Sequence, residues 1–237
     1  MNNVKPLAGC IALVTGASRG IGAATADELA RHGAHVVLTA RTAKDLEDVE
    51  ERIHDQGGSA TIAPLDLAEP DAVMRLAAAT RERWDRLDHL VINAAYLPML
   101  TPVAHCEAKE FSKALTINVL ATQALLAAFD PLLKRAEQGR VIGLTSSVGQ
   151  DARAFWGAYG ASKAAFDMLL ACYALEIDRI SNTRVAIVDP GATRTDMRAR
   201  AFPGEDPATL KDPVVVARRV AALLIDDFAN NHRERID

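Results

Sequence analysis

Aromatic side chains are scarce in this chain: two Trp, three Tyr and six Phe among 237 residues. A sandwich built on aromatic cross-strand pairs is therefore a poor expectation, and the Leu, Ala and Val that carry most of the apolar content suit helices packed on a buried sheet. Cysteine is rarer still. Cys10, Cys106 and Cys172 are odd in number, far apart and without CxxC or Cys/His spacing, so they read as small buried hydrophobes in a reducing compartment. The six histidines include no HExxH and no close pair, and no metal site is expected. Excess charge is missing as well: a formal net charge of −4 gives no electrostatic reason to expect nucleic acid as a partner. No run of roughly 20 apolar residues is present, and the first residues, Met-Asn-Asn-Val-Lys-Pro, hold no apolar leader core. A cytoplasmic protein without a membrane partner is the expectation.

What is there is an apolar fraction of 49%, enough for a sizeable core. Short apolar runs alternate with longer segments of helical period. Strands are predicted over 11–15, 35–40, 60–65, 87–94, 140–145 and 183–188. Helices are predicted over 20–32, 43–56, 70–84, 107–135, 158–180 and 212–228, with Pro70 suited to a helix start and Pro131 expected to kink or end the fourth. Nearly continuous apolar strands, each followed by a helix, point to an α/β fold: a doubly wound parallel sheet, Rossmann-like, with helices on both faces and a single domain over 1–237.

The first strand–helix junction reads Thr15-Gly16-Ala17-Ser18-Arg19-Gly20-Ile21-Gly22. Three closely spaced glycines allow a tight turn, close backbone approach to a phosphate, and packing of helix on strand. The helix start then turns unpaired N–H groups and a partial positive charge toward a diphosphate. The spacing is GxxxGxG, not GxGxxG, so the match to the dinucleotide fingerprint is loose, and a glycine-rich turn holding nothing is the plain alternative. About 20 positions on, where that fingerprint places a carboxylate for the ribose hydroxyls, stands Arg41. A guanidinium there suits a 2′-phosphate, and Arg19 offers a second cation; two solvated arginines are the alternative. NADP(H) is thereby preferred over NAD(H).

A second constellation is Tyr159-Gly160-Ala161-Ser162-Lys163. Positions i and i+4 share a helix face, so the ammonium lies beside the phenol and favours phenolate. Ser146 lies 13 residues before Tyr159, at the end of the fifth predicted strand. The carboxyl ends of parallel strands are where ligands bind in open α/β sheets, though a serine capping a turn is equally ordinary there.

Together these residues resemble the short-chain dehydrogenase/reductase family, in its compact single-domain branch. The matching pieces are TGASRGIG (15–22), Asp66-Leu67, NAA (93–95), Asn118 in TINV, SSVG (146–149), YGASK (159–163) and PGATRT (190–195), in family order over nearly the whole chain. The resemblance implies that Tyr159 exchanges a proton with the substrate oxygen, that Lys163 holds the nicotinamide ribose and lowers the Tyr159 pKa, and that Ser146 hydrogen-bonds the substrate oxygen. It also implies that Asn118 holds a water through its backbone. For the cofactor it implies Thr15, Gly16, Ser18, Arg19, Gly20, Ile21 and Gly22 around the diphosphate, with Arg41 beyond. Asp66 and Leu67 fall by the adenine, Asn93 and Ala94 along the adenosine side, and Pro190, Gly191, Thr193 and Thr195 around the nicotinamide.

Two departures stand out. Ala95 replaces the glycine usual in that family, narrowing the backbone's approach to a cofactor. The carboxyl-terminal residues 230–237 lack the family's Thr-Gly and Asp-Gly-Gly, so the closing strand is expected to be absent or a stub, and a homodimer is favoured over a tetramer. A substrate lid rich in Arg194, Met197, Arg198, Arg200, Phe202 and Pro203 is expected at about 193–212, with Tyr96, Met99, Phe155 and Trp156 near its mouth. An apolar pocket with a basic rim suits a small hydrophobic carbonyl compound or alcohol, one carrying a carboxylate or a thioester carrier included; core aromatics and solvated arginines are the plain alternative. The reading is an NADPH-dependent oxidoreductase. A non-catalytic NADP(H)-binding sensor or scaffold, and a dehydratase or epimerase on the same fold, are the alternatives.

Overall fold

The computed structural model describes residues 5–237. Its centre is a seven-stranded, wholly parallel sheet in the order β3-β2-β1-β4-β5-β6-β7. The strands are β1 (Ile11–Thr15), β2 (His35–Thr39), β3 (Ser59–Ile62), β4 (His89–Ile92), β5 (Arg140–Leu144), β6 (Arg184–Asp189) and β7 (His232–Arg235). Order reverses between β1 and β4, which opens a crevice at the carboxyl ends of those strands.

Helices α1 (Gly20–Arg31), α2 (Ala43–Asp55) and α8 (Pro213–Ile225) cover one face, burying Leu29, Leu46, Ile53, Val216 and Val220 against Val14 and Val36. The other face carries α3 (Ala72–Trp84), α4 (Ala108–Leu115), α5 (Ala121–Leu133) and α6 (Gly157–Ile177), with Leu125, Phe129, Phe166 and Leu170 in its core. A short α7 (Asp196–Ala201) stands above the crevice. Local chemistry sets the helix starts: Asp212 accepts from the Val214 amide at 2.9 Å with Pro213 in the first turn of α8, and Thr195 accepts from the Arg198 amide at 3.2 Å.

One boundary differs from the sequence reading: Pro70 does not open α3; the chain turns at Asp71 (φ 61°) and the helix begins at Ala72. Pro131 lies in the last turn of α5, which ends at Leu133. The closing strand, expected to be absent or a stub, is a four-residue β7 paired with β6 from Ala186↔His232 to Asp189↔Arg235. Its sequence His-Arg-Glu-Arg has no apolar run because it is a sheet edge, where charge discourages pairing with another chain.

Helices α4 and α5 are joined through a widened π turn, Thr116–Leu120, into one segment from Ala108 to Leu133. It is long and apolar enough to cross a membrane by length and composition alone. In this fold Leu125, Phe129, Leu132 and Leu133 of that segment are buried in the core instead.

At the opposite end of the sheet, His89 opens β4 fully buried, and neither ring nitrogen has a hydrogen-bond partner among the described residues. Burial pushes its pKa down to about 4. The unfolded chain takes up this proton near pH ~6.5, so stability is whole above that pH and falls as pH drops toward 4, by roughly 3 kcal/mol in all. Urea unfolding of His89→Leu should show a shallower loss between pH 6.5 and 4 than the native chain; parallel losses would remove this role.

Candidate active site

A cavity of about 760 Å3 occupies the crevice. At one end lies the turn between β1 and α1. Gly16 adopts φ +65°, and a side chain at Gly22 would run into the Gly16 carbonyl oxygen. Arg19, at the N-cap of α1, makes no side-chain cap bond, so the first-turn amides are left for a ligand. Gly16, Ser18, Arg19, Gly20 and Ile21 line the cavity, whereas Gly22 is buried behind them as the packing glycine.

Thr15 does not reach the cavity either. Its buried hydroxyl donates to Val91 O at 3.3 Å and accepts from the Asn93 and Ala94 amides, both at 3.0 Å. Asn93 returns the tie, its Nδ2 donating to Thr15 O at 2.9 Å and Gly16 O at 3.2 Å. The ends of β1 and β4 are thus braced where the crevice opens. Asn93, Ala94 and Ala95 form the adjoining wall.

At the outer rim stand Arg19 and Arg41, both exposed, with Asp66 and Leu67 nearby. Arg19 meets Asp196 at 3.6 Å, but with side chains 69% and 75% exposed this pair contributes little and leaves the guanidinium free to turn. Arg41 enters no ion pair among the described residues. A third rim cation, Arg52, escapes the sequence reading because it lies on α2, far from any glycine motif, where it holds Asp27 at 3.0 Å.

The inner end is built on α6. Tyr159 and Lys163 both line the cavity and both are buried. Lys163 Nζ donates to Leu144 O at 2.7 Å and lies 5.9 Å from the Tyr159 ring centroid. Burial pulls its pKa down to about 8, against Asp167 and Asp189, which favour the charge. The phenol behaves differently from the sequence expectation: burial, then the Asp189 carboxylate, raise its pKa. Its Oη donates to Met197 Sδ at 3.9 Å. Asp189 was not marked by the sequence, although a carboxylate ending β6 just before Pro190 is a signal of position; Met197 belongs to the expected lid.

Ser146 and Asn118 are near this pair without lining the same space. Ser146 lies on a separate cavity of about 160 Å3, together with Trp156 and Gly191. Asn118, 1% exposed in the π turn, accepts from the Tyr96 amide at 2.7 Å and donates to Tyr96 O at 3.0 Å and Ser162 Oγ at 2.9 Å. It ties the loop after β4 to α6. Pro190 and Thr195 line the large cavity, while Thr193 is buried, its hydroxyl donating to Pro190 O at 3.0 Å. No cluster of potential metal ligands occurs among the described residues.

A doubly wound sheet with a glycine turn at its switch point and a Tyr–Lys pair deep in the same crevice defines a nucleotide-binding α/β protein of the dehydrogenase kind. The sequence profile described as short chain dehydrogenase matches residues 10–206. The chain is 37% identical over 220 residues to the uncharacterized oxidoreductase YciK of Escherichia coli K12, covering 92% of this chain and 86% of that one. It is 31% identical to a chloroplastic NADPH-dependent aldehyde reductase-like protein of Arabidopsis thaliana, over 85% of this chain and 78% of that one. Among solved structures, yciK from E. coli superposes with a TM-score of 0.93 at 35% identity, covering 99% and 97% of the two chains. A metagenomic short-chain oxidoreductase in complex with NADP gives 0.85 at 32% identity, covering 98% and 97%. This chain belongs to the short-chain dehydrogenase family of oxidoreductases.

Proposed function

We propose that this protein interconverts a carbonyl compound and an alcohol with NADP(H), Tyr159 acting as acid in reduction and base in oxidation. The observation that carries the reading is that one cavity joins the buried Tyr159–Lys163 pair to a rim bearing Arg19 and Arg41. Uncapped amides at the start of α1 and the absence of side chains at Gly16 and Gly20 fit a diphosphate. Gly16, Ser18, Gly20 and Ile21 would hold that group, with Gly22 and Thr15 shaping the turn from behind. Arg19 and Arg41 would take a 2′-phosphate, Asp66, Leu67, Asn93 and Ala94 the adenosine side, and Pro190, Gly191, Thr193 and Thr195 the nicotinamide side. The bound NADP in the metagenomic relative and the name of the Arabidopsis relative support this preference.

When bound, NADPH supplies the hydride. Tyr159, kept neutral by burial, is loaded to donate its proton to the carbonyl oxygen. Lys163, with a pKa of about 8, is charged at neutral pH and stabilises the phenolate left behind. Ser146 would orient the substrate oxygen, and Asn118 positions α6 through Ser162. NADPH oxidation across ketones, aldehydes, quinones and 3-oxoacyl thioesters tests the reading. Equal turnover of an active compound by the native chain and Tyr159→Phe would sink the mechanism.

Residues 193–212 act as the substrate lid in this reading; Arg194–Asp212 and Arg198–Glu205 ion pairs brace it. The outward face of α6 carries Met168, Cys172 and Leu175, spaced as one helical stripe and exposed, with Leu120 exposed on the neighbouring π turn. We assign this face to a homodimer. Leu175→Glu is expected to shift sedimentation from dimer to monomer, and a monomeric native chain would remove the assignment.

A further inference from the structure

The cavity beside Ser146 is unlike the main crevice. It holds about 160 Å3 and is bounded by Ser146, Trp156, Asp189 and three arginines: Arg153, Arg198 and Arg235. The three differ in what they already hold. Arg198 is engaged by Glu205, its Nε donating to Oε2 at 2.6 Å, and its guanidinium stacks 3.8 Å from the Phe202 ring centroid. Arg235 sits 3.9 Å from Asp189 and 3.1 Å from Asp237. Arg153 has no ion pair among the described residues and lies 5.6 Å from the Trp156 ring centroid. A guanidinium laid on an aromatic face keeps its edge donors free for a planar anion.

Position gives this charge a use. Trp156 is edge-on to Tyr159, ring centroids 6.0 Å apart, and the residues bounding this cavity adjoin those of the main crevice in the chain: Ser146 follows Thr145, Gly191 follows Pro190, Arg198 follows Met197. A substrate whose oxygen lies between Ser146 and Tyr159 would therefore project its remaining atoms toward Arg153. We propose that Arg153 binds an anionic group of the substrate, making this a reductase of short oxo acids, with the carboxylate seated in the small cavity and the carbonyl at Ser146 and Tyr159. The Asp189 carboxylate on the same wall is already committed, accepting from the Gly191 amide at 2.9 Å and facing Arg235. Volume argues for a carboxylate on a short chain in place of a bulky carrier. In reduction the oxo carbon gains a hydride from NADPH and its oxygen gains the Tyr159 proton, while the carboxylate is unchanged.

The proposal rests on the carbonyl reductase reading, and the test separates the two. Pyruvate, 3-oxobutanoate and 4-oxopentanoate would be compared with their methyl esters as substrates for the native chain, Arg153→Leu and Arg153→Lys. Propanoate, butanoate and pentanoate would be titrated separately against the NADPH complex by cofactor fluorescence. The native chain should turn over at least one oxo acid about tenfold or more faster in kcat/KM than its ester. Arg153→Leu should abolish that preference while ester turnover and NADPH affinity stay within about twofold, and Arg153→Lys should restore part of it. The matching fatty acid should perturb the native NADPH complex and not the Leu variant. Acids and esters reduced alike, or a Leu variant losing both equally, would overturn the subsite and leave the reductase standing. Arg153-dependent fatty-acid binding without turnover of any carbonyl compound would overturn the reductase reading and keep the subsite. Neither turnover preference nor acid binding would overturn the subsite on both counts.

Discussion

Tyr159→Phe is expected to lower kcat for carbonyl reduction by about 10³-fold, equivalent to about 4 kcal/mol of transition-state stabilisation, with NADPH affinity nearly unchanged. The ring that packs beside Trp156 is kept and only the hydroxyl is lost, so the fold around α6 has no reason to move. The proton, however, has no other donor of the right kind among the described residues in the buried end of the cavity. Lys163 carries protons at neutral pH, but its Nζ is turned to Leu144 O. Because burial holds the phenol neutral, the native enzyme should reduce well at neutral and mildly acidic pH, and oxidation of the alcohol should improve as pH rises. Stopped-flow NADPH oxidation with native and variant chains checks both statements. Turnover by the variant within about tenfold of native would remove Tyr159 as the acid.

Arg41→Asp should raise the Kd for NADPH by about 100-fold while changing that for NADH only a few-fold. Among the described residues the exposed guanidinium is not tied to another side chain, so its removal costs the apoprotein little. A carboxylate in its place repels a 2′-phosphate and accepts from ribose hydroxyls, reversing both halves of the discrimination. Arg19 sits on the same rim and limits the loss, so the double change with Arg19→Ala should cost more than either alone. Cofactor fluorescence titration reads these constants, and equal weakening for the two cofactors would end the assignment to a 2′-phosphate.

What was legible in the sequence was local or periodic. The Gly16–Gly22 turn is readable because the absence of a Cβ is a property of single residues, and the Tyr159–Lys163 pair because i,i+4 spacing is a property of one helix. Apolar runs likewise announced six of the strands. Closing strand β7 was legible as no more than a stub because an edge strand of His-Arg-Glu-Arg carries no buried-sheet pattern. The π turn at Asn118 escaped since one extra residue in a turn hardly disturbs hydrophobic period over a long helix. Electrostatics was the least legible: the ammonium beside Tyr159 is visible in the spacing, whereas the burial that raises the phenol's pKa is completed by Leu97, Val148 and Met197, brought from other segments of the chain. Thr15 and Gly22 were placed by the glycine motif at the ligand, and packing sets them one layer behind.

Arg233 gives β7 a reach beyond the sheet edge. Its Nη1 donates to Asp167 Oδ2 at 3.0 Å, and that carboxylate, 4% exposed, lies one turn past Lys163 on α6 and also accepts from the Thr145 hydroxyl. Edge strands are ordinarily the first part of a sheet to open in local fluctuations. Here such opening would strand a buried charge beneath the helix that holds Tyr159 and Lys163, at a cost of roughly 3 kcal/mol or more for an uncompensated ion. Fraying of the last strand and loosening of the proton-transfer helix are therefore coupled into one cooperative event, and amide exchange at the two should share a common opening free energy.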